Sequence, residues 1–286
     1  DGKLVAFSAN RGNVADQIWV ANRDGTNIRQ LTTFASGTAF YPKLDYFGKI
    51  CTFESNQSGQ YEVYTVYTDG TGLTDVSQNP GGADRVPWIS ADGDRVAWKS
   101  TRGGTNDVYM AYPDGTGLRK VSPFGNMSPS LTNDSHCING DGTVLALASK
   151  YDYKGGNPEG DYEIYVWKDA FTAAGVARPG ATITLTMEDA TRPGAVYAVR
   201  CAFSRSPGIP IGGKIVPITP DVLFWLSGAL PAVFQKFEGT LNAQGLGVAA
   251  VAIPNIPALT GIAFYSTFVS ADPALEVYNP LKVLIW

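Results

Sequence analysis

Apolar and polar positions alternate in this chain in blocks that recur at a near-constant interval. Four segments open on a glycine turn and then alternate: DGKLVAFSANR from Asp1, FGKICTFESNQ from Phe47, DGDRVAWKSTR from Asp92 and DGTVLALASKY from Asp141. Their glycines, Gly2, Gly48, Gly93 and Gly142, are 46, 45 and 49 residues apart. A period of two predicts a strand with two different faces. A second alternating segment follows each time: QIWVANRDG, YEVYTVYTDG, DVYMAYPDG and YEIYVWKDA. Three of these end in Asp24-Gly25, Asp69-Gly70 and Asp114-Gly115. Asp-Gly suits a tight hairpin because glycine enters positive φ without a Cβ clash. Short third strands are predicted at IRQLT, LTDVS and LRKVS, and a fourth before the next turn, as in FYPKLDYFG, RVPWISADG and SPSLTNDSHCINGDG.

Four short strands in about 45 residues predict a propeller blade. A single blade cannot bury both faces, so neighbours must stack, through residues such as Phe7, Trp19, Phe53, Tyr64, Trp98, Tyr109, Tyr165 and Trp167. These repeats, over residues 1–169, resemble the TolB-like propeller repeat. The resemblance implies a scaffold that binds partner proteins, and such propellers also form parts of peptidases and pectin-type lyases. The chain departs from that family in number: four blades are counted, where the family closes with six or more. The first lacks its leading strand and the fourth has no clear last strand after Trp167. Three completions are open: a larger propeller of which this is a fragment, a closed four-bladed ring, or an edge completed by another copy. Unpaired edge N–H and C=O groups favour such recruitment.

The period stops at Ala181. Strand candidates follow at ATITLTM, AVYAVRCAFS, GKIVPI, DVLFWLSG, VFQKFEGTL, GVAAVAIP, GIAFYSTFVS and NPLKVLIW, with no convincing amphipathic helix. About eight strands between Gly, Pro and Asn turns predict a β-sandwich of Ig or jelly-roll type. The expectation is thus an all-β chain: propeller repeats over 1–174, a linker at AAGVARPG, and a sandwich over 181–286. The segment AIPNIPALTGIAFYSTFVSADP resembles a C-terminal β-sandwich module of secreted bacterial proteins, which implies extracellular or bacterial cell-surface placement.

Charge supports the division. The net charge is −4, yet residues 181–286 hold six basic and six acidic residues, so the whole excess lies in the repeats. A second region so poor in charge reads as a well-buried sandwich or as a self-association or attachment surface. The mild acidity carries no footprint for nucleic acid. No apolar run is long enough for a membrane span; the most apolar stretch, 246–268, is broken by Pro254 and Pro257. Three cysteines, Cys51, Cys137 and Cys201, allow at most one disulfide, with the pairing open. Asp1 in place of Met reads as a processed, trimmed or partial chain.

Candidate chemistry is sparse. The single histidine, His136, excludes a His-rich metal site and would have to serve any Ser-His-Asp triad. It adjoins Cys137, but neighbours on a strand point to opposite faces. No G-x-S-x-G elbow and no phosphate-binding glycine loop occurs. Acidic residues crowd KYDYKGGNPEGDYE, where Asp152, Asp161 and Glu163 are the calcium candidates, with Glu159 beside them, although the spacing departs from the D-x-D-x-D-G loop. Asn56, Asn126 and Asn133 head N-x-S/T acceptors for glycosylation. The expectation is a non-catalytic extracellular scaffold that contacts proteins, glycans or its own copies, without a cofactor. A filament subunit joined by edge complementation and a fragment of a propeller hydrolase or lyase are the alternatives.

Overall fold

The computed structural model describes residues 2–12, 15–122, 136–150 and 158–286. It is nearly all β and divides into two compact units, 1–168 and 169–286.

The first unit contains four consecutive antiparallel sheets. Sheet one is Leu4–Ala9, Gln17–Asn22 and Arg29–Gln30. Sheet two is Ala39–Leu44, Ile50–Ser55, Glu62–Tyr67 and Thr74–Asp75. Sheet three is Asp84–Ile89, Val96–Ser100, Asp107–Ala111 and Arg119–Lys120. Sheet four is His136–Ile138, Val144–Ser149 and Glu163–Lys168. Each is a simple meander, the form of a propeller blade. Among the described residues the strand packing joins consecutive sheets, and no strand of sheet one packs broadly on a strand of sheet four.

Local chemistry sets the meander. The carboxylate of Asp24 accepts from Thr26 N–H at 3.0 Å and Thr26 Oγ1 at 2.6 Å. Asp69 with Thr71 and Asp114 with Thr116 repeat both bonds. Gly25, Gly70 and Gly115 follow at φ of 81°, 92° and 80°, where a Cβ would be strained. Alternation then assigns faces. Cys51, Phe53, Tyr64 and Val66 of sheet two pack on Ile18 and Val20 of sheet one. Val63 on the opposite face packs with Val96 and Trp98 of sheet three. Ala97, Val108 and Met110 of sheet three meet Leu145 and Leu147 of sheet four.

The second unit places two sheets on one apolar core. The first runs in the order Phe171–Ala174, Thr182–Glu188, Leu246–Ala252, Phe234–Gln235. The second runs Glu238–Thr240, Val196–Ala202, Ala263–Ala271, Leu275–Val277, with Leu281–Leu284 also paired to 263–266. Ile183, Leu185 and Met187 of one sheet and Val199, Cys201 and Phe268 of the other point into this core, while Ala202 and Val269 on the outer face of the second sheet pack with Val216 and Ile218. At Gly247 an added Cβ would lie 2.9 Å from Leu241 and 3.1 Å from both Met187 and Tyr197, so a larger residue would make these side chains shift.

Two sequence expectations change here. The second unit begins at Asp169, before the linker expected at 173–180, because Phe171–Ala174 pairs with 184–187 instead of closing a blade. DVLFWLSG, expected as a strand, is the α-helix Val222–Ala229. Asp221 caps it, accepting from Leu223 N–H and Phe224 N–H, and Ser227 ties it to the strand Val196–Ala202 by accepting from Cys201 N–H at 3.1 Å.

Candidate functional site: a buried polar seam in the propeller unit

Four buried carboxylates of the first unit, Glu54, Glu62, Asp84 and Asp107, lie in sheets two and three. Gln17, Glu62 and Asp107 open the second strand of sheets one, two and three, and all are buried. Each accepts from a hydroxyl just after the third strand: Thr32 to Gln17 at 2.8 Å, Ser77 to Glu62 at 2.5 Å and Ser122 to Asp107 at 2.9 Å. Each hydroxyl in turn accepts a backbone N–H, from Ile18, Val63 and Val108 respectively. Both ends of this clasp recur every 45 residues. Its role is therefore to close a blade, satisfying polar groups that the stack removes from water.

Glu62 has the environment of an acid–base group. Burial pushes its carboxyl up to about 7, against the bonds from Ser77 and from Asn79 N–H, with Asp84 and Asp75 adding repulsion. A carboxyl poised there suits general acid–base catalysis. Yet Glu62 is only 2% exposed, and its donors are the clasp itself, which leaves no approach for a substrate.

Two ion pairs extend the seam. Glu54, wholly buried, accepts from Arg85 Nε at 3.0 Å and Nη2 at 2.7 Å, and its second oxygen accepts from Val86 N–H at 2.7 Å. Arg85 also lies 4.1 Å from the Tyr61 ring centroid. Asp84 pairs with Arg102 at 2.9 Å, and Arg102 stacks 4.6 Å from Tyr109. Val86 sits at φ 55°, a conformation unfavourable to a β-branched side chain, at a bulge between Arg85 and Trp88. Tyr41, 45 residues earlier, repeats it at φ 53° beside the bulge in sheet two. Both precede a proline, Pro42 and Pro87. A strain repeated with the blade belongs to the repeat, and in sheet three Glu54 holds it.

The residues singled out in the sequence are not brought together. Asp152, Asn126 and Asn133 lie outside the described residues. Among the described residues no group of three or more His, Cys, Asp or Glu is placed to hold a metal ion. Glu163 is exposed and has a structural address: opposite Ser149, it occupies the register position of Glu62 opposite Ser55 and Asp107 opposite Ser100. Asp161 and Glu159 are exposed beside it. Asn56 is half-buried, and its Oδ1 accepts from Thr38 N–H at 2.7 Å, a turn-closing role. All three cysteines are free thiols; burial pushes Cys51 and Cys201 up to about 12, while Cys137 is exposed. The clasp residues went unnoticed in the sequence, although Gln17, Glu62 and Asp107 fall on the same 45-residue interval as the Asp-Gly turns.

The apolar faces differ from sheet to sheet. Toward the preceding sheet each blade presents an equivalent pair: Phe53 with Tyr64, Trp98 with Tyr109, Leu147 with Tyr165. Sheet one carries Phe7 with Trp19 at that place, beside the exposed Val5, and neither ring is fully buried. Toward the following sheet the blades present small and aliphatic residues. On sheet four these are Ala146 opposite Val166 and Ala148 opposite Ile164; Ile164 is 69% and Val166 61% exposed.

No family model matches this chain, and no curated protein does. Among solved structures it is similar to a putative TolB from Agrobacterium tumefaciens, at 20% identity over 59% of this chain and 55% of that one, TM-score 0.39. TolB from Acinetobacter baumannii matches at 13% identity over 67% and 48%, TM-score 0.43. An oligogalacturonate lyase from Vibrio parahaemolyticus matches at 16% identity over 59% and 46%, TM-score 0.41. The chain thus spans about half the length of each of these proteins. The blades are assigned on their own sheet topology. No helix among the described residues is long and apolar enough to cross a membrane.

Proposed function

We propose that this chain is a non-catalytic, extracellular scaffold that binds protein through the outer apolar faces of sheets one and four of its propeller unit. One observation carries the reading. The free face of sheet four is aliphatic and the free face of sheet one is aromatic, the two halves of the interface that joins the blades internally. The partner that fits both is another blade of this kind, and a second copy supplies it: sheet one of one molecule on sheet four of the next. Such a contact is head-to-tail, and unless its rotation closes it grows into a filament. Large exposed apolar faces mark interfaces of this type. The non-catalytic reading is supported by the clasps, which use the buried carboxylates of the first unit for structure.

Sedimentation velocity across a wide concentration range tests it. Association that grows with concentration is expected, with loss in a Val166→Glu variant of unchanged circular dichroism. Monomers at every concentration, in a chain that also captures no protein partner, would sink the scaffold. Hydrolysis or elimination of a peptide or polysaccharide, abolished by Glu62→Gln, would favour the propeller-enzyme alternative.

A further inference from the structure

The second unit contains a cavity of about 270 Å³ whose accessible wall is wholly apolar. Phe234, Val251, Phe264 and Ile285 form its buried side, and Leu226 and Leu230 its open side, where they remain 39% and 43% exposed. The helix Val222–Ala229 flanks it and is turned against the usual rule. Its one buried residue is Ser227, while Val222, Trp225 and Leu226 face water, Trp225 at 67%. An amphipathic helix ordinarily buries its apolar stripe.

Of its large apolar residues only Leu223 and Phe224 pack, in part, against the unit's apolar clusters, and polar contacts add to that hold. Asp221 accepts from Leu223 N–H and Phe224 N–H inside the helix and from Phe203 N–H outside it at 2.6 Å. Ser227 accepts from Cys201 N–H and donates to the Phe224 carbonyl at 2.8 Å. The helix is thus pinned at its start and middle by hydrogen bonds, and Leu226, with Leu230 just beyond its end, is left at the open side of an apolar hollow.

We infer that this hollow is a binding site for the single aliphatic chain of a free amphiphile. A wall without polar surface offers a ligand no hydrogen bond, so the portion inside must itself be hydrocarbon and the polar head must stay at the mouth. A dry apolar cavity of roughly 150 Å³ holds one benzene. By proportion, this one accommodates about ten carbon atoms. The site lies in the charge-poor unit and is independent of the blade faces.

Titration calorimetry of the full chain with decan-1-ol and with sodium decanoate tests the assignment. Both are expected to bind with one-to-one stoichiometry, since the head is outside. Leu226→Lys, which sets a charge at the open wall, is expected to weaken both at least tenfold, and Leu226→Met to leave them within twofold. Should Leu226→Lys misfold by circular dichroism, Leu230→Lys replaces it with the same expectation. No binding of either probe by the folded wild-type chain, or equal binding by the folded lysine variants, overturns the inference. Co-sedimentation with phosphatidylcholine vesicles, without binding of either free probe, overturns it as well and assigns the face to a bilayer.

Discussion

The two units bury comparable secondary structure by different means. In the propeller unit sheets two and three are covered on both faces by their neighbours, so charged and polar side chains are trapped at the seams and must find partners there. Glu54 with Arg85, Asp84 with Arg102, and the three clasps are the outcome. In the second unit two sheets share one core, and half-buried Tyr278 stacks on Phe268 of that core, with ring centroids 3.8 Å apart and planes 7° off parallel. A stack of small interfaces is held by specific polar matches, and a single core by volume and shape.

The largest test of this contrast is Phe268→Ala. Phe268 is fully buried and also packs against Phe171 at 5.3 Å, so the variant should lose about 3–5 kcal/mol. Thermal unfolding should show one transition moving and the propeller transition holding; movement of both by the same amount would deny the units their independence. Glu54→Ala acts on the other side. It strands the Arg85 guanidinium and the Val86 N–H, and a loss of about 3 kcal/mol is expected, at the low end for a buried pair because Arg85 keeps some contact with water. Urea titration reads it, and a cost below about 0.5 kcal/mol would show that the seam is wet.

Glu62 sharpens the comparison through pH. Its carboxyl is raised in the folded state to about 7 from the ordinary 4.5. Between these values the folded chain holds more protons than the unfolded one, so stability is full below about pH 4.5 and declines as pH rises through about 7. The slope attributable to one such group is at most about 1.4 kcal/mol per pH unit. Glu62→Gln should flatten the propeller transition across that window while the second unit keeps its own profile. An unchanged slope would mean that Glu62 titrates normally. The smallest effect is expected at Asp221→Ala, which removes the helix cap and the bond from Phe203 N–H: about 1 kcal/mol, confined to the second unit.

Much of the blade architecture was legible because its determinants are local. Period-two alternation with Asp-Gly turns at residues 24, 69 and 114 sets strand, turn and face within a few residues of chain. The clasps were less visible, although they obey the same interval, because Gln17 and Thr32 or Glu62 and Ser77 read separately as ordinary polar residues. Only pairing of the second and third strands brings them within hydrogen-bond distance.

Sequence alone therefore determined that this chain is all-β, that its first part is built of blades, and that its second part follows another plan. Those conclusions rest on short-range periodicity. The tertiary structure decided that Phe171–Ala174 belongs to the second unit and that the apolar run at 222–229 is a helix. It also decided which carboxylates are structural. Val-Leu-Phe-Trp-Leu has the composition of a strand, and what makes it helical is the Asp221 cap and a serine reaching Cys201, 26 residues away in the chain. A hydrogen bond across that distance has no period to announce it.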